Sequence, residues 1–122
     1  MPSIAFAVPI TSAAKGEELL AALTGEKKGD HHEANNRHGF TRIKLFRQHK
    51  PQEMVVVYLE ADNLEQAIKS RMASDHSHDK LWGEMVKEAT GQHPNSAQAG
   101  GPPSTLLMDW HPTKGVATTH HD

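Results

Sequence analysis

Bulky and small residues alternate near the start of the chain. Four bulky apolar residues are separated by smaller ones: Ile4, Phe6, Val8 and Ile10. A period of two is typical of a β-strand with one apolar face. The alternation therefore predicts a first strand over residues 3–10.

A helical period follows over residues 15–37. Its first half carries a stripe of leucines that would face a core: Leu19, Leu20 and Leu23. Gly25 and Gly29 each weaken a helix by about 1 kcal/mol relative to Ala, so a break at this point is an open alternative. Gly39 is suited to end the helix, because glycine adopts the left-handed conformation found just after a helix.

Two apolar runs separated by a short turn predict a β-hairpin. The strands cover residues 40–49 and 53–61, and residues 50–52 form the turn. Three consecutive β-branched residues mark the second strand: Val55, Val56 and Val57. A continuous apolar run of this kind indicates a strand that is covered on both faces.

Two further helices are predicted over residues 64–73 and 79–90, with a polar hinge over residues 74–78. In the second helix apolar residues recur at helical spacing: Trp82, Met85, Val86 and Ala89. This spacing places them on one helix face.

Composition divides residues 92–122 into a loop, a strand and a tail. Residues 92–103 are rich in Gly, Pro, Ser, Asn and Gln, which predicts a loop. Residues 104–110 are predicted to form the last strand, and residues 112–122 a polar tail. The domain is therefore expected to span residues 1–111.

This element order, β-α-β-β-α(α)-β, predicts a ferredoxin-like α+β fold. Its four-stranded antiparallel sheet would carry helices on one face. The opposite face would be open, and a strand that is apolar on both sides needs a cover there. A second copy of the same sheet would supply it, which predicts a homodimer in the form of a dimeric α+β barrel.

Composition excludes several partners. The formal net charge is −2, from 13 Lys and Arg against 15 Asp and Glu, which favours neither nucleic acid nor an anionic membrane. The chain has no cysteine, which excludes disulfides and thiolate chemistry. No basic region precedes the first apolar run, and no run approaches the roughly 20 residues of a spanning helix. We expect a cytoplasmic protein without nucleic acid or membrane partners.

Three segments resemble bacterial dimeric α+β-barrel proteins. Pro51 with residues 54–61 resembles their third strand, and residues 101–110 their final strand. Residues 74–82 are similar to the Ser-Asp-x-x-x-Asp-x-x-Trp signature of one uncharacterised group within them. The resemblance covers about residues 3–111 and implies the fold. It implies a broad functional range, from cofactor-free monooxygenases, cyclases and lyases to haem-handling proteins and ligand binders, and it carries over no catalytic residue.

Ten of the 122 residues are His, and two of them extend the leucine stripe of the long helix. His31 and His38 lie on the helical face that begins with Leu20. They are either solvated, where the helix overhangs the sheet, or they face a polar cavity. In a cavity, an imidazole would act as a general acid or base.

Residues 75–79 combine two His with flanking carboxylates, which are ligand types for a divalent metal. The alternative is that Asp75 and Asp79 cap consecutive helices. We favour capping, because the acids belong to the signature of the resembling group and the His positions do not. No third His stands at a spacing that fits a known metal site. We therefore expect no metal and no cofactor, and treat His78 as a candidate ligand contact.

Polar residues on the strands complete the set of candidates. Arg42 and Lys44 share one face of their strand, and Tyr58 and Glu60 share a face of the next. They would line a pocket that stabilises an enolate or phenolate, or they would pair at an exposed edge. The candidate catalytic residues are His38, Tyr58 and His31. The candidate ligand contacts are Arg42, His78 and Trp82, although Trp82 also suits a core or an interface.

The function that fits these predictions is binding of a small, largely apolar organic molecule by a homodimeric barrel. Catalysis, if present, would be a proton transfer, oxygenation or cyclisation without a cofactor. Two alternatives stay open at this point: a ligand-binding or structural protein of the same fold without enzymatic activity, and a His-ligated metal or haem protein.

Overall fold

The computed structural model describes residues 2–94 and 104–121. Within these ranges the chain forms an α+β structure with four helices and two antiparallel sheets. The elements in chain order are β1 (Ser3–Pro9), α1 (Ala13–Thr24), α2 (Lys28–His38), β2 (Phe40–Gln48), β3 (Met54–Ala61), α3 (Leu64–Ala73), α4 (Ser77–Thr90), β4 (Asp109–His111) and β5 (Gly115–Ala117). The α+β class and the first three strands were predicted correctly.

The main sheet has the strand order β1-β3-β2. Both pairings are antiparallel, and Val57 on the central strand β3 lies opposite Phe6 on β1 and Leu45 on β2. Successive side chains of a strand point to opposite faces. The inner face, which carries Val57 and its same-face neighbours, is packed against the helices. The outer face carries the alternate residues, Val56 among them.

The predicted single helix over residues 15–37 is two helices. α1 ends at Thr24, and Gly25 occupies its C-cap. A Cβ at Gly25 would lie only 2.8 Å from the carbonyl oxygen of Ala21, so the chain can turn there because residue 25 has no side chain. α2 ends as expected at Gly39, which adopts a positive φ of 87°.

The second helical pair lies close to its predicted bounds. α3 coincides with residues 64–73, while α4 begins two residues earlier than predicted, at Ser77. His76 is its N-cap, and the His76 side chain accepts a hydrogen bond from the backbone N–H of His78. The capping expected of Asp75 is therefore wrong: at the start of α4 the cap is the His76 imidazole.

The prediction for the C-terminal part was wrong. Residues 104–108 form no strand, and β4 pairs with β5 in a separate two-stranded sheet. The main sheet therefore has three strands among the described residues, not four. The supposed polar tail contains β5, because the His111 imidazole accepts hydrogen bonds from the backbone N–H groups of Thr113 and Lys114 and thereby closes the turn.

The predicted loop over residues 92–103 lies mostly outside the described residues, which include only 92–94 of it. Among the residues that the structure describes, none of the helices is long and apolar enough to cross a membrane.

The core between the inner face and the helices is incompletely filled. Its buried cluster is small: Phe40, Leu59, Ala61 and Ala67. No large side chain of the described residues is fully buried, whereas protein interiors usually pack as densely as organic crystals. Part of the unfilled volume forms an apolar cavity.

Candidate functional site

An apolar cavity of about 270 Å³ lies between the inner face of the sheet and the helices. All four helices and all three strands of the main sheet contribute to its walls. Representative apolar side chains are Phe6, Leu23, Val57, Leu59, Ile68 and Val86. The alternation of the strands and the helical stripes, both visible in the sequence, direct these side chains inward.

One wall of the cavity carries polar and aromatic side chains. It is formed by His31 of α2, Arg71 of α3 and Trp82 of α4. The Arg71 guanidinium carbon lies 4.5 Å from the centroid of the Phe40 ring and 4.7 Å from that of the Trp82 ring, within the range of a cation–π contact. A hydrogen bond from Arg71 Nη2 to the side-chain oxygen of Asn35 further fixes the position of the guanidinium.

Arg71 is mostly enclosed by protein. Burial lowers its pKa to about 10, and the field of Asp79 acts in the opposite direction. Arg71 also lines a smaller cavity of about 190 Å³ on the side of Asp79. The guanidinium thus separates an apolar space from a polar one.

His31 is paired with a second imidazole. His31 Nδ1 lies 3.0 Å from His78 Nε2. Burial, followed by the charge of Arg71 and the contact with His78, lowers the pKa of His31 to about 4. Burial also lowers the pKa of His78. Both rings are therefore neutral near pH 7.

His38 belongs to a separate group, the Asp79 cluster, which comprises Asp79, His38, Ser70, Ser74 and Arg37. Asp79 Oδ2 accepts hydrogen bonds from His38 Nε2 at 2.8 Å, from Ser74 Oγ at 2.5 Å and from Arg37 Nη1 at 3.1 Å. Since His38 donates through Nε2, its Nδ1 accepts the Ser70 hydroxyl at 2.7 Å.

The Asp79 carboxylate is strongly stabilised in its charged form. Burial alone would raise its pKa, but the hydrogen bonds from Ser74, His38 and Arg37 outweigh burial and lower the pKa to about 2. Ser70 contacts His38, and His38 contacts Asp79, in the same sequence as the nucleophile, base and acid of a catalytic triad. Neither Ser70 nor His38 is among the described residues that line the 270 Å³ cavity, so a molecule held there would not meet the hydroxyl.

The structure separates the residues that the sequence grouped as a site. His31 and Trp82 lie on the cavity, and His78 lies directly behind His31. His38 is neither solvated nor on the cavity wall, since its side chain is only 2% exposed within the Asp79 cluster.

Tyr58 and Arg42 lie on the outer face of the sheet, because they alternate with inner-face residues on their strands. The Tyr58 hydroxyl donates a hydrogen bond to Glu60 Oε2 at 2.8 Å. Burial and this bond raise the pKa of Tyr58. Arg42 pairs in register with Glu60. His38 and Tyr58 therefore do not meet at one cavity.

Sequence reasoning missed Arg71, although a signal for it exists. The apolar stripe of α3 runs through Leu64, Ala67 and Ile68, and the next position on that face is Arg71. A cation at the end of an apolar stripe is expected to be enclosed, and such a residue requires a partner. The partners Asn35 and Phe40 belong to other elements and could not be read from α3 alone.

Neither acidic signature residue caps a helix as expected, because the N-cap of α4 is His76 and Asp79 lies in the first turn of that helix. Asp75 is exposed. Asp79 organises its cluster, and the Ser74 hydroxyl, besides donating to Asp79, accepts the backbone N–H of His76. Over residues 2–94 and 104–121, no group of three or more His, Asp or Glu side chains is arranged to hold a metal ion.

In comparisons with known proteins, no family model, no curated protein and no solved structure matches this chain. The resemblance to dimeric α+β-barrel proteins therefore stays a prediction.

Proposed function

We propose that this protein binds a small, largely apolar organic molecule in the cavity between the inner face and the helices. The observation that carries the proposal is the cavity itself, at about 270 Å³. An engineered apolar cavity of roughly 150 Å³ already admits benzene, so this one accommodates a somewhat larger molecule.

The cavity opens to solvent at a rim where Leu20 is 53% exposed and Leu45 is 45% exposed. A ligand that covers this apolar surface is stabilised by roughly 25 cal/mol per Å² removed from water, which favours occupancy of the cavity. Apolar positions from every wall converge on it, so the cavity does not result from a single small side chain. A ligand that fills it would recover the lost packing contacts.

We propose a binding protein rather than a catalyst. A general base, a phenol and a cation around one substrate would favour catalysis, but His38 and Tyr58 face different parts of the structure. His31 is the one of the three predicted catalytic residues that lies on the cavity.

A pair of neighbouring substitutions tests the binding site. Val57→Phe places a ring into the cavity, while Val56→Phe adds the same ring to the outer face and leaves the cavity unchanged. Titration with toluene or indole, followed by ¹⁵N-edited NMR, should show saturable shifts for the parent protein. Val57→Phe should weaken binding by about tenfold or more, and Val56→Phe by less than about twofold.

Circular dichroism and melting curves establish that both variants are folded. If Val57→Phe fails to fold, Leu23→Phe fills the cavity from α1 instead. An absence of saturable binding, or equal binding by the filled and the control variant, would contradict the proposal.

We further propose that a second copy of the chain covers the outer face, which would form the dimeric α+β barrel expected from the sequence. One cross-strand row of this face is wholly apolar: Ala7, Val56 and Phe46. Phe46, which also borders the open edge of the cavity, is 55% exposed. The next row on this face is Ala5, Tyr58 and Lys44, and the row beyond it pairs Arg42 with Glu60. A two-fold axis would place the apolar row against its own copy.

Light scattering at micromolar concentration tests the dimer, which should have twice the 13.4 kDa chain mass. Val56→Glu should produce a folded monomer, because it places a charge in the apolar row. Leu81→Glu is the matched control, since Leu81 is an exposed apolar residue on α4. A parent protein that is a stable monomer would overturn this part of the proposal.

A further inference from the structure

We propose that the ligand of the cavity is an organic acid, with an apolar body among the helices and a carboxylate that pairs with Arg71 and accepts a hydrogen bond from His31. This inference rests on the proposed binding function and names its ligand class. It is argued from the unmatched donors at one end of an otherwise apolar space.

Arg71 has donors without acceptors. A guanidinium carries five N–H groups, and within the described residues Asn35 accepts the one hydrogen bond that Arg71 donates. No carboxylate of the described residues forms an ion pair with it. The Phe40 and Trp82 rings restrict its orientation, so its remaining edge is preorganised for the two oxygens of a carboxylate.

The other cation on the cavity is already matched. Arg47 lies at the rim, where it pairs with Glu53 at 2.8 Å and with Glu17 at 3.6 Å. The hydroxyl of Thr90, another polar group of the lining, donates to the carbonyl oxygen of Val86. Arg71 is therefore the cation that lacks a counter-ion, and an enclosed charge without one is unfavourable.

Asp79 does not fill this role. All three of its described hydrogen bonds come from within its own cluster. It lies towards the smaller cavity, and its negative charge disfavours a second anion on that side. A ligand carboxylate is thus directed to the side of Arg71 that faces the 270 Å³ cavity.

The His31–His78 pair supplies a further donor. His78 Nδ1 is buried and has no hydrogen-bond partner. An unpaired N–H is less tolerable than an unpaired lone pair, so the proton of His78 is on Nε2 and is donated to His31 Nδ1. Neutral His31 then carries its own proton on Nε2, which has no acceptor among the described residues. Both polar groups of this wall are donors.

A donor-only end on an apolar cavity is complementary to an amphipathic carboxylate. A neutral oxygen can accept one of these hydrogen bonds but does not balance the charge of Arg71, and an amine would be repelled by that charge. The volume fits an aromatic or branched acid of on the order of ten non-hydrogen atoms, by comparison with the roughly 150 Å³ that admits benzene.

Calorimetric titration with a matched pair of probes tests the ligand class. 3-Phenylpropanoate has the carboxylate, and 3-phenylpropanol has the same body with a neutral end. The acid should bind about tenfold or more tightly than the alcohol. Arg71→Met, which keeps an apolar stem between the two rings, should remove that advantage and leave the affinity for the alcohol unchanged.

The control variant is Arg47→Met, which removes the paired cation at the rim and should change the affinity for the acid by less than about twofold. If Arg71→Met fails to fold, the Arg71 Nε–H resonance of the parent protein decides the question. It should shift strongly on titration with the acid and by a smaller amount with the alcohol, which lacks the charge, and equal shifts would contradict the inference.

The outcomes separate the two proposals. If acid and alcohol bind equally and Arg71→Met alters neither, the acid inference is wrong while apolar binding stands. If neither probe binds, and toluene and indole fail as well, the proposed function itself is wrong.

Discussion

His31 and His38 lie seven residues apart on α2 and on the same side of that helix, yet their surroundings differ. His38 has a hydrogen-bond partner at each ring nitrogen, Ser70 and Asp79, and its side chain is nearly inaccessible. His31 contacts a second imidazole through one nitrogen and lines a cavity. The pKa of His31 is lowered to about 4, chiefly by burial.

The difference separates a structural role from a binding role. A buried polar network that is fully satisfied makes the packing of its elements specific, and the Asp79 cluster joins α2, α3 and α4 in this way. A polar wall with unmatched donors contributes less to the fold and is instead complementary to a ligand. The same residue type therefore serves both roles, according to its partners.

Substitution of the two histidines should give the largest contrast. His38→Ala removes a donor from the buried Asp79 carboxylate and leaves a space, so we expect the free energy of unfolding to fall by about 3 kcal/mol. Because the His31 side chain borders an existing cavity, we expect His31→Ala to lower the free energy of unfolding by less than about 1 kcal/mol. Urea unfolding measures both, and equal losses would contradict the assignment of roles.

Acid should weaken the Asp79 cluster next. Asp79 has an ordinary pKa of 3.8 and a folded-state pKa of about 2. The unfolded state binds more protons between these values, so the stabilisation is fully present above about pH 4 and is lost as the pH falls through about 2. The expected loss is on the order of 2 kcal/mol.

Urea midpoints measured over this pH range check the effect. Asp79→Asn should flatten the pH dependence, whereas Asp75→Asn, at an exposed position of the hinge, should retain it. Parallel curves for the parent protein and Asp79→Asn would show that the cluster does not hold the charged carboxylate as described.

The smallest expected effect concerns His31 in a milder pH range. Its pKa falls from 6.5 in the unfolded chain to about 4 in the folded one. Between these values the unfolded state binds more protons, so stability decreases as the pH falls from about 6.5 to about 4. Arg71 and His78 disfavour the imidazolium and Asp79 favours it.

Because His31 is partly exposed, we expect the loss to be reduced by solvent screening to about 1 kcal/mol. His31→Gln should reduce the slope, while the matched change His32→Gln, at the exposed neighbour, should not. His78, whose pKa is also lowered, accounts for any slope that remains. An unchanged slope in His31→Gln would contradict the burial of this ring.

Local patterns were sufficient for the main elements. The alternation from Ile4 to Ile10 predicted β1, because the side chains of a strand point to its two faces in turn. The β-branched run around Val56 predicted β3, since such runs are typical of buried strands. The left-handed Gly39 ended α2 where expected, because glycine adopts a positive φ without steric cost. For the candidate site, the sequence identified His31 and Trp82 but grouped them with residues of the opposite sheet face.

What the sequence by itself determined is the first three strands, the second helical pair and their apolar faces, since these follow from interactions between near neighbours. The tertiary structure decided which partner each enclosed polar group meets. Ser70 and Asp79 reach His38 from other helices, and Asn35 reaches Arg71, across 32 to 41 residues of chain. Such contacts leave no period in the sequence, because they form only once the elements pack.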